Sequence, residues 1–247
     1  MSLPVRPSET LWYRFARWNL RTWIFPALGG FRALGTEHVP GSGPVILAPN
    51  HVSNFDPPAL AAACPRGIKI IAKEELFRNP VLGFFNRSLG AFPVRRGEGD
   101  KAAITQTLAL LDEGWVMIIF PEGTRSDGRV LLPLSRGVAM MAKRSGATVV
   151  PTAVVGTHVL MPKGAKGLTR SETKIVFGEP FRYEDAAAGA ANDREARERF
   201  TVELERRLLA LCSEHGLPLV RSDTSNAESR APSGPPSTAE DPGSAPG

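Results

Sequence analysis

Two short polar stretches carry the residue types that can move a proton or hold an anion. The first, Asn50-His51-Val52-Ser53-Asn54-Phe55-Asp56, directly follows the apolar run Val45 to Ala48. Its imidazole and carboxylate stand five residues apart. In a helix that spacing separates two side chains by about 140°, and in a strand it puts them on opposite faces roughly 17 Å apart. The pair can therefore meet only across a turn. Ser53 and Asn54 favour such a turn through local side-chain-to-backbone bonds, and Pro57-Pro58 suits the first turn of a helix that follows it. Across the turn Asp56 can hold one ring nitrogen of His51 and leave the other as a base. The same residues also read without chemistry, with Asp56 as a helix N-cap and His51 as an ordinary loop histidine.

The second stretch, Phe120-Pro121-Glu122-Gly123-Thr124-Arg125-Ser126, leaves the end of another apolar run. Gly123 permits close backbone approach, Thr124 supplies a hydroxyl, and Arg125 offers a planar fork that matches phosphate oxygens. In such a site Glu122 would either fix Arg125 or bond the loop backbone. The plain alternative is a turn closed by an internal Glu122 to Arg125 pair. A third clustered ligand is missing from both stretches, so no metal is expected. Cys64 and Cys212 lie far apart without CxxC spacing, which offers neither a disulfide framework nor a zinc site and fits a reducing compartment.

The elements that must position these stretches follow from periodicity. Short apolar runs alternating with helical patterns predict an α/β fold, a mixed central sheet wrapped by helices. The expected strands are Val45 to Ala48, Ile68 to Ala72, Val116 to Phe120, Thr148 to Val155 and Thr173 to Phe177. Ile104, Leu108 and Leu111 mark a helix with one buried stripe, and further helices are expected from about Ser135 to Ser145 and Asn192 to Cys212. The last carries Phe200, Leu204, Leu208 and Leu211 on one face, and its many charges read as a solvated surface.

Near the start, a helix over Leu11 to Ile24 gathers Leu11, Trp12, Phe15, Trp18 and Trp23 on one broad face, with Arg14, Arg17 and Arg21 opposite. That pattern suits an amphipathic helix lying in a bilayer interface, although docking on the protein's own core is the commoner fate of such helices. No run of about 18 apolar residues occurs, so a spanning helix is not expected, and the N-terminus lacks the h-region of a signal peptide. The net charge is +5, yet its basic residues form no run interleaved with stacking aromatics. Nucleic acid is not an expected partner. From about Ser222 the chain is Ser, Pro, Ala and Gly with scattered charge, a composition too poor in large apolar residues to fold. The expected organisation is a membrane-association segment over 1–33, a catalytic domain over 34–215 and a disordered tail over 216–247.

Taken together and in this order, the two polar stretches resemble the glycerolipid acyltransferase family that includes 1-acyl-glycerol-3-phosphate acyltransferase. The His-x4-Asp motif matches at His51 and Asp56 with the preceding Asn50, and the Glu-Gly-Thr-Arg motif matches at Glu122 to Arg125. Two further blocks agree: Lys73-Glu74-Glu75-Leu76 with Pro80, Gly83, Gly90 and Pro93-Val94-Arg95-Arg96, then Val150 to Gly156. The resemblance runs from about Gly35 to Gly178 and leaves both ends of the chain outside it. It implies an O-acyltransferase working at a lipid surface, peripheral or monotopic on the cytoplasmic face of the cell membrane. Its co-substrate would be acyl-CoA or acyl carrier protein, with no other cofactor, and its acceptor a lysophospholipid. His51 and Asp56 would be catalytic, with oxyanion donors among the backbone N–H groups after His51. Glu122, Gly123, Thr124 and Arg125, with Arg95 or Lys73, would hold the acceptor phosphate. Phe77, Leu82, Phe84 and Phe85 would be candidates for an acyl-chain groove.

Overall fold

A computed structural model describes residues 9–94, 99–165 and 167–222. In chain order the strands are β1 (Phe31–Leu34), β2 (Val45–Pro49), β3 (Ile68–Lys73), β4 (Ala91–Val94), β5 (Val116–Ile118), β6 (Val130–Leu131), β7 (Thr148–Val155), β8 (Thr173–Phe177) and β9 (Val220–Arg221). Seven of them form one sheet in the order β1-β8-β7-β2-β5-β3-β4. The five strands from β7 to β4 run parallel, while β8 pairs with β7 antiparallel and carries β1 parallel to itself. The expected mixed sheet is therefore present. Every residue of β2 is buried, as is β7 from Val149 onward. Burial on both faces explains why these two strands read as unbroken apolar runs rather than alternating ones.

The helices are α1 (Leu11–Asn19), α2 (Phe25–Ala27), α3 (Asp56–Ala63), α4 (Pro80–Ser88), α5 (Gly99–Asp112), α6 (Gly137–Ser145), α7 (Thr157–Leu160), α8 (Tyr183–Ala186) and α9 (Asp193–Glu214), with a wider π-helical stretch over Leu20–Ile24 joining α1 to α2. Tyr13, Leu20, Phe25 and Leu60, from the N-terminal helices and α3, pack on one face of the sheet. Leu111, Val138, Phe200, Leu204 and Leu208, from α5, α6 and α9, cover the other. On α9 the fourth buried position is Cys212, with Leu211 only partly covered. Its surface pairs, Arg199 with Glu195 and Arg207 with Glu203, contribute little to stability and mark a solvated face.

Several expectations need correction. Phe31–Leu34 is an edge strand bonded to β8, so a boundary after residue 33 cuts through the sheet. Its partner lies far away in sequence, beyond the reach of local periodicity. Leu217 and Leu219 are buried, and Val220–Arg221 pair with β6, so the folded chain extends past residue 215 to at least Ser222. The remainder of the expected tail lies outside the described residues.

The N-terminal helix both docks and presents a face. Tyr13 and Leu20 are buried, the Tyr13 hydroxyl accepts from Ile68 N at 3.1 Å, and Arg17 donates to the Cys64 carbonyl at 2.9 Å. Arg17 is thus drawn into the protein, whereas Arg14 and Arg21 are exposed. Trp12, Phe15, Trp18 and Trp23 are between 47% and 62% exposed, and successive rings lie 5.6, 6.3 and 6.5 Å apart. Phe84 of α4 extends this line at 5.6 Å from Trp12, whose indole N–H donates to Ser88 Oγ at 2.7 Å. Phe84 and Phe85 therefore lie on an exposed aromatic ridge rather than in an enclosed groove, and the Leu82 side chain lies outside the described residues. Phe77 is half-buried under the Arg87 guanidinium. Among the described residues, no helix is long and apolar enough to cross a membrane.

Candidate active site

In a parallel sheet the loops leaving the carboxyl ends of the strands collect on one edge. Here those loops follow β2, β3, β4, β5 and β7, and each of the motif blocks falls at such an end. The Asn50 to Asp56 stretch leaves β2 at the centre of the sheet, flanked by β7 and β5.

The turn closes as the five-residue spacing requires. His51 Nδ1 lies 2.7 Å from Asp56 Oδ2, and the same oxygen accepts from Val52 N at 2.7 Å and Ser53 N at 2.8 Å. Asp56 is the first residue of α3, after Phe55 in the capping position, so its side chain reaches back into the loop and does not cap its own helix. A carboxylate oxygen only accepts, which assigns the proton of this contact to Nδ1 and leaves Nε2 with its lone pair. The imidazole keeps 18% exposure while Asp56 is fully buried. Phe120 stacks on the ring at 3.8 Å between centroids and 18° between planes. Ring rotation is blocked on that side. Asn50 fastens the loop to β7, donating to the Val154 carbonyl at 3.0 Å and accepting from Val154 N at 2.7 Å.

The backbone amides expected to face an oxyanion are largely consumed. Val52 and Ser53 N–H serve Asp56, Phe55 N donates to Ser53 Oγ, and Asp56 N donates to the Ser53 carbonyl. After His51, Asn54 N–H has no acceptor among the described hydrogen bonds.

Glu122 takes one of its two expected roles. It is buried, with Oε1 accepting from His51 N at 2.7 Å and Oε2 accepting from Leu132 N at 3.0 Å. Of the two roles open to it, it bonds the loop backbone, and no ion pair joins it to Arg125 among the described residues. Glu122 thus braces the loop after β2 against the segment after β6 through one backbone N–H on each oxygen. Burial pushes its carboxyl up to about 7, against the pull of the two N–H donors. A second tie, Ser126 N to the His51 carbonyl at 2.8 Å, runs parallel to it.

Gly123 and Thr124 are exposed at the tip of the turn, and Gly123 adopts φ +66° with open space around it. The Arg125 guanidinium is half-buried and makes no hydrogen bond or ion pair among the described residues. Lys163 Nζ donates to the Arg125 carbonyl at 2.8 Å, bringing a cation that the motif blocks did not point to. Lys73 closes β3 in register with Val94 at the end of β4. Its side chain lies outside the described residues, as does Arg95. Phe120 and Lys163 were not singled out by sequence. Phe120 had a signal in its position at the head of the second motif, and Lys163 had none.

Comparison with known proteins agrees with this geometry. The family described as Acyltransferase matches residues 31–155, a span that contains the motif blocks almost entirely and excludes α1 and α2. The 1-acyl-sn-glycerol-3-phosphate acyltransferase of Bacillus subtilis (strain 168) is 32% identical over 184 residues, covering 74% of this chain and 88% of that protein. The lyso-ornithine lipid O-acyltransferase of Pseudomonas aeruginosa is 35% identical over 112 residues, covering 45% of this chain and 43% of that protein. Among solved structures, the 1-acyl-sn-glycerophosphate (LPA) acyltransferase PlsC from Thermotoga maritima aligns with a TM-score of 0.65 at 27% identity, covering 81% of this chain and 79% of that one.

The brace can be tested through Glu122→Gln, in which an amide group faces one of the two backbone donors. Stability should fall by about 1–3 kcal/mol in chemical denaturation, and turnover should fall with the acceptor KM unchanged. Because the folded-state carboxyl is raised from 4.5 to about 7, its favourable contribution is full below 4.5 and is lost as pH rises through 7. The stability gap between wild type and variant should therefore narrow from pH 5 to pH 8. A phosphate-binding Glu122 would instead move acceptor KM.

Proposed function

The chain belongs to the acyltransferase family, and from that premise we propose that it transfers a fatty acyl group from a thioester to the free hydroxyl of 1-acyl-glycerol 3-phosphate, forming phosphatidic acid. The observation that carries this reading is the 2.7 Å contact between His51 Nδ1 and Asp56 Oδ2 beside an uncommitted arginine. The names of the Bacillus and Thermotoga relatives support the acceptor. The thioester is that of CoA or acyl carrier protein.

An alcohol is a weak nucleophile and a thioester an activated acyl donor, so the reaction needs a base and an ordered approach. His51 Nε2 takes the hydroxyl proton as the oxygen forms a bond to the thioester carbonyl carbon. The imidazolium that results is stabilised by Asp56. As the carbon–sulfur bond breaks, the departing thiolate takes that proton and leaves as free thiol. Ester and thiol are the products, and no acyl-enzyme forms. Arg125 holds the acceptor phosphate, with Arg95 or Lys73 as a further cation. A charge-assisted bond of that kind contributes about 1.5–3 kcal/mol.

The aromatic ridge of α1 and α4 rests on the cytoplasmic leaflet of the membrane, with its rings at headgroup depth and Arg14 and Arg21 toward anionic lipid. The acceptor and the acyl chain then reach the carboxyl edge of the sheet without crossing water. A second reading, an acylated amino-acid lipid as acceptor, is favoured by the likeness to the Pseudomonas enzyme. A panel of lysolipid acceptors with products identified by mass decides between them.

His51→Ala should fold normally and lose a factor of about 10² to 10⁴ in turnover, measured as thiol release. Retained turnover would remove His51 as the base. Arg125→Ala should raise the KM for 1-acyl-glycerol 3-phosphate about 10- to 100-fold, the equivalent of one charge-assisted bond, with the donor KM steady. A change confined to the donor would misplace the phosphate. Deletion of α1 would also strip Tyr13 from the core, so the membrane face is better probed by Trp18→Ala with Trp23→Ala. That double variant should keep its thermal stability and sediment at least about tenfold less with anionic vesicles, and unchanged sedimentation would refute the assignment.

A further inference from the structure

Asp56 has two oxygens, and the motif loop accounts for only one of them. Oδ2 takes the imidazole N–H and the two loop amides, while Oδ1 accepts a single bond at 2.6 Å from the hydroxyl of Thr157. Thr157 comes from the far side of the site, 101 residues further along the chain, and it is fully buried. It opens α7, immediately after the end of β7, and lies beyond the span matched by the family.

The placement of that hydroxyl is enforced by backbone. β7 is clamped to the motif loop by Asn50 at Val154 and continues one residue to Val155. Gly156 then turns the chain with φ +89°, and a Cβ on it would stand 1.9 Å from the Glu172 carbonyl oxygen. Only glycine fits both that conformation and that close approach. The turn drops Thr157 onto Asp56, and Ser53 Oγ donates to the Met161 carbonyl at 2.8 Å just past the short helix. The loop carrying the base is held at three points by β7 and the segment after it, and only one of them touches the carboxylate.

We propose that Thr157 is a positioning residue for the reaction: its hydroxyl fixes the rotation of the Asp56 carboxylate so that Oδ2 stays aligned with His51 Nδ1, completing a Thr157–Asp56–His51 relay of orientation. The proposal rests on the reading of His51 as the base. With Oδ1 unheld, the carboxylate can turn about its terminal bond, and the loop amides on Oδ2 follow either nitrogen partner less strictly. A loss of alignment costs rate and leaves substrate binding alone, because Thr157 is fully buried and its hydroxyl is committed to Asp56.

The test uses the full chain with 1-acyl-glycerol 3-phosphate and whichever acyl thioester the wild type turns over. Thr157→Val keeps the shape and removes the donor. Its kcat should fall about 10- to 100-fold with both KM values within about twofold of wild type. In histidine-labelled protein the downfield proton resonance of His51 Nδ1–H should move, and Thr157→Ser should restore both kcat and resonance. If the valine variant does not fold, Thr157→Cys is compared with Thr157→Ser, since both lose the methyl group and only serine keeps a strong O–H donor. Serine activity close to wild type with cysteine well below it supports the proposal. Equal activity of the serine and cysteine variants, or a valine variant with normal kcat and an unmoved resonance, overturns it. His51→Ala run beside them separates the two readings. Loss of activity there with a normal valine variant sinks only the role of Thr157, whereas activity retained without His51 sinks the base itself.

Discussion

A carboxylate removed completely from water governs this site. Burying an ionised carboxylate costs several kcal/mol unless it is paired and hydrogen-bonded, and Asp56 meets that cost with four donors. Two of them are amides of its own loop, one is the imidazole and one is a hydroxyl from β7's end. Charge-assisted bonds of about 1.5–3 kcal/mol each are enough to dictate backbone conformation. The loop between β2 and α3 is therefore shaped around the carboxylate, and the imidazole is one of the things that the shape positions. Glu122 repeats the device a few ångströms away, a second buried acid whose oxygens gather amides from two separate loops. The nearness of the two acids adds to the upward push on Glu122.

The division between legible and illegible features follows sequence separation. His51 and Asp56 could be paired from spacing because five residues can close only through a turn, and the Ser53-Asn54 and Pro57-Pro58 flanks say where. β7 and β8 match their expected bounds because each is a short β-branched and apolar stretch, largely buried. Phe31–Leu34 was missed because its burial alternates and its partner, Thr173–Phe177, is supplied by the other end of the chain. Val220–Arg221 is two exposed residues whose strand character comes wholly from bonds to β6. The resemblance placed Glu122 in the site, but nothing local tells which backbone groups, at positions 51 and 132, its carboxylate will meet. Thr157 gave no signal for the same reason.

The first helix has three stripes rather than the two that its amphipathic pattern suggested. Tyr13, Ala16 and Leu20 face the core, Arg14 and Arg21 face solvent, and the aromatic rings form the third side. Through Tyr13 and Arg17 the helix is tied to the start of β3 and the end of α3, the same helix that begins with Asp56. The ridge and the reacting groups are thereby parts of one rigid frame.

Gly156 has a wider consequence. Contact there is between main chain and main chain, so the separation between the end of β7 and the β8 side of the sheet does not depend on which hydrophobic side chains fill the interior. Methylene-scale repacking beneath the sheet can shift side chains without altering that backbone stop. The interior can be repacked while the hydroxyl keeps its address, because the stop at Gly156 leaves no room for any side chain.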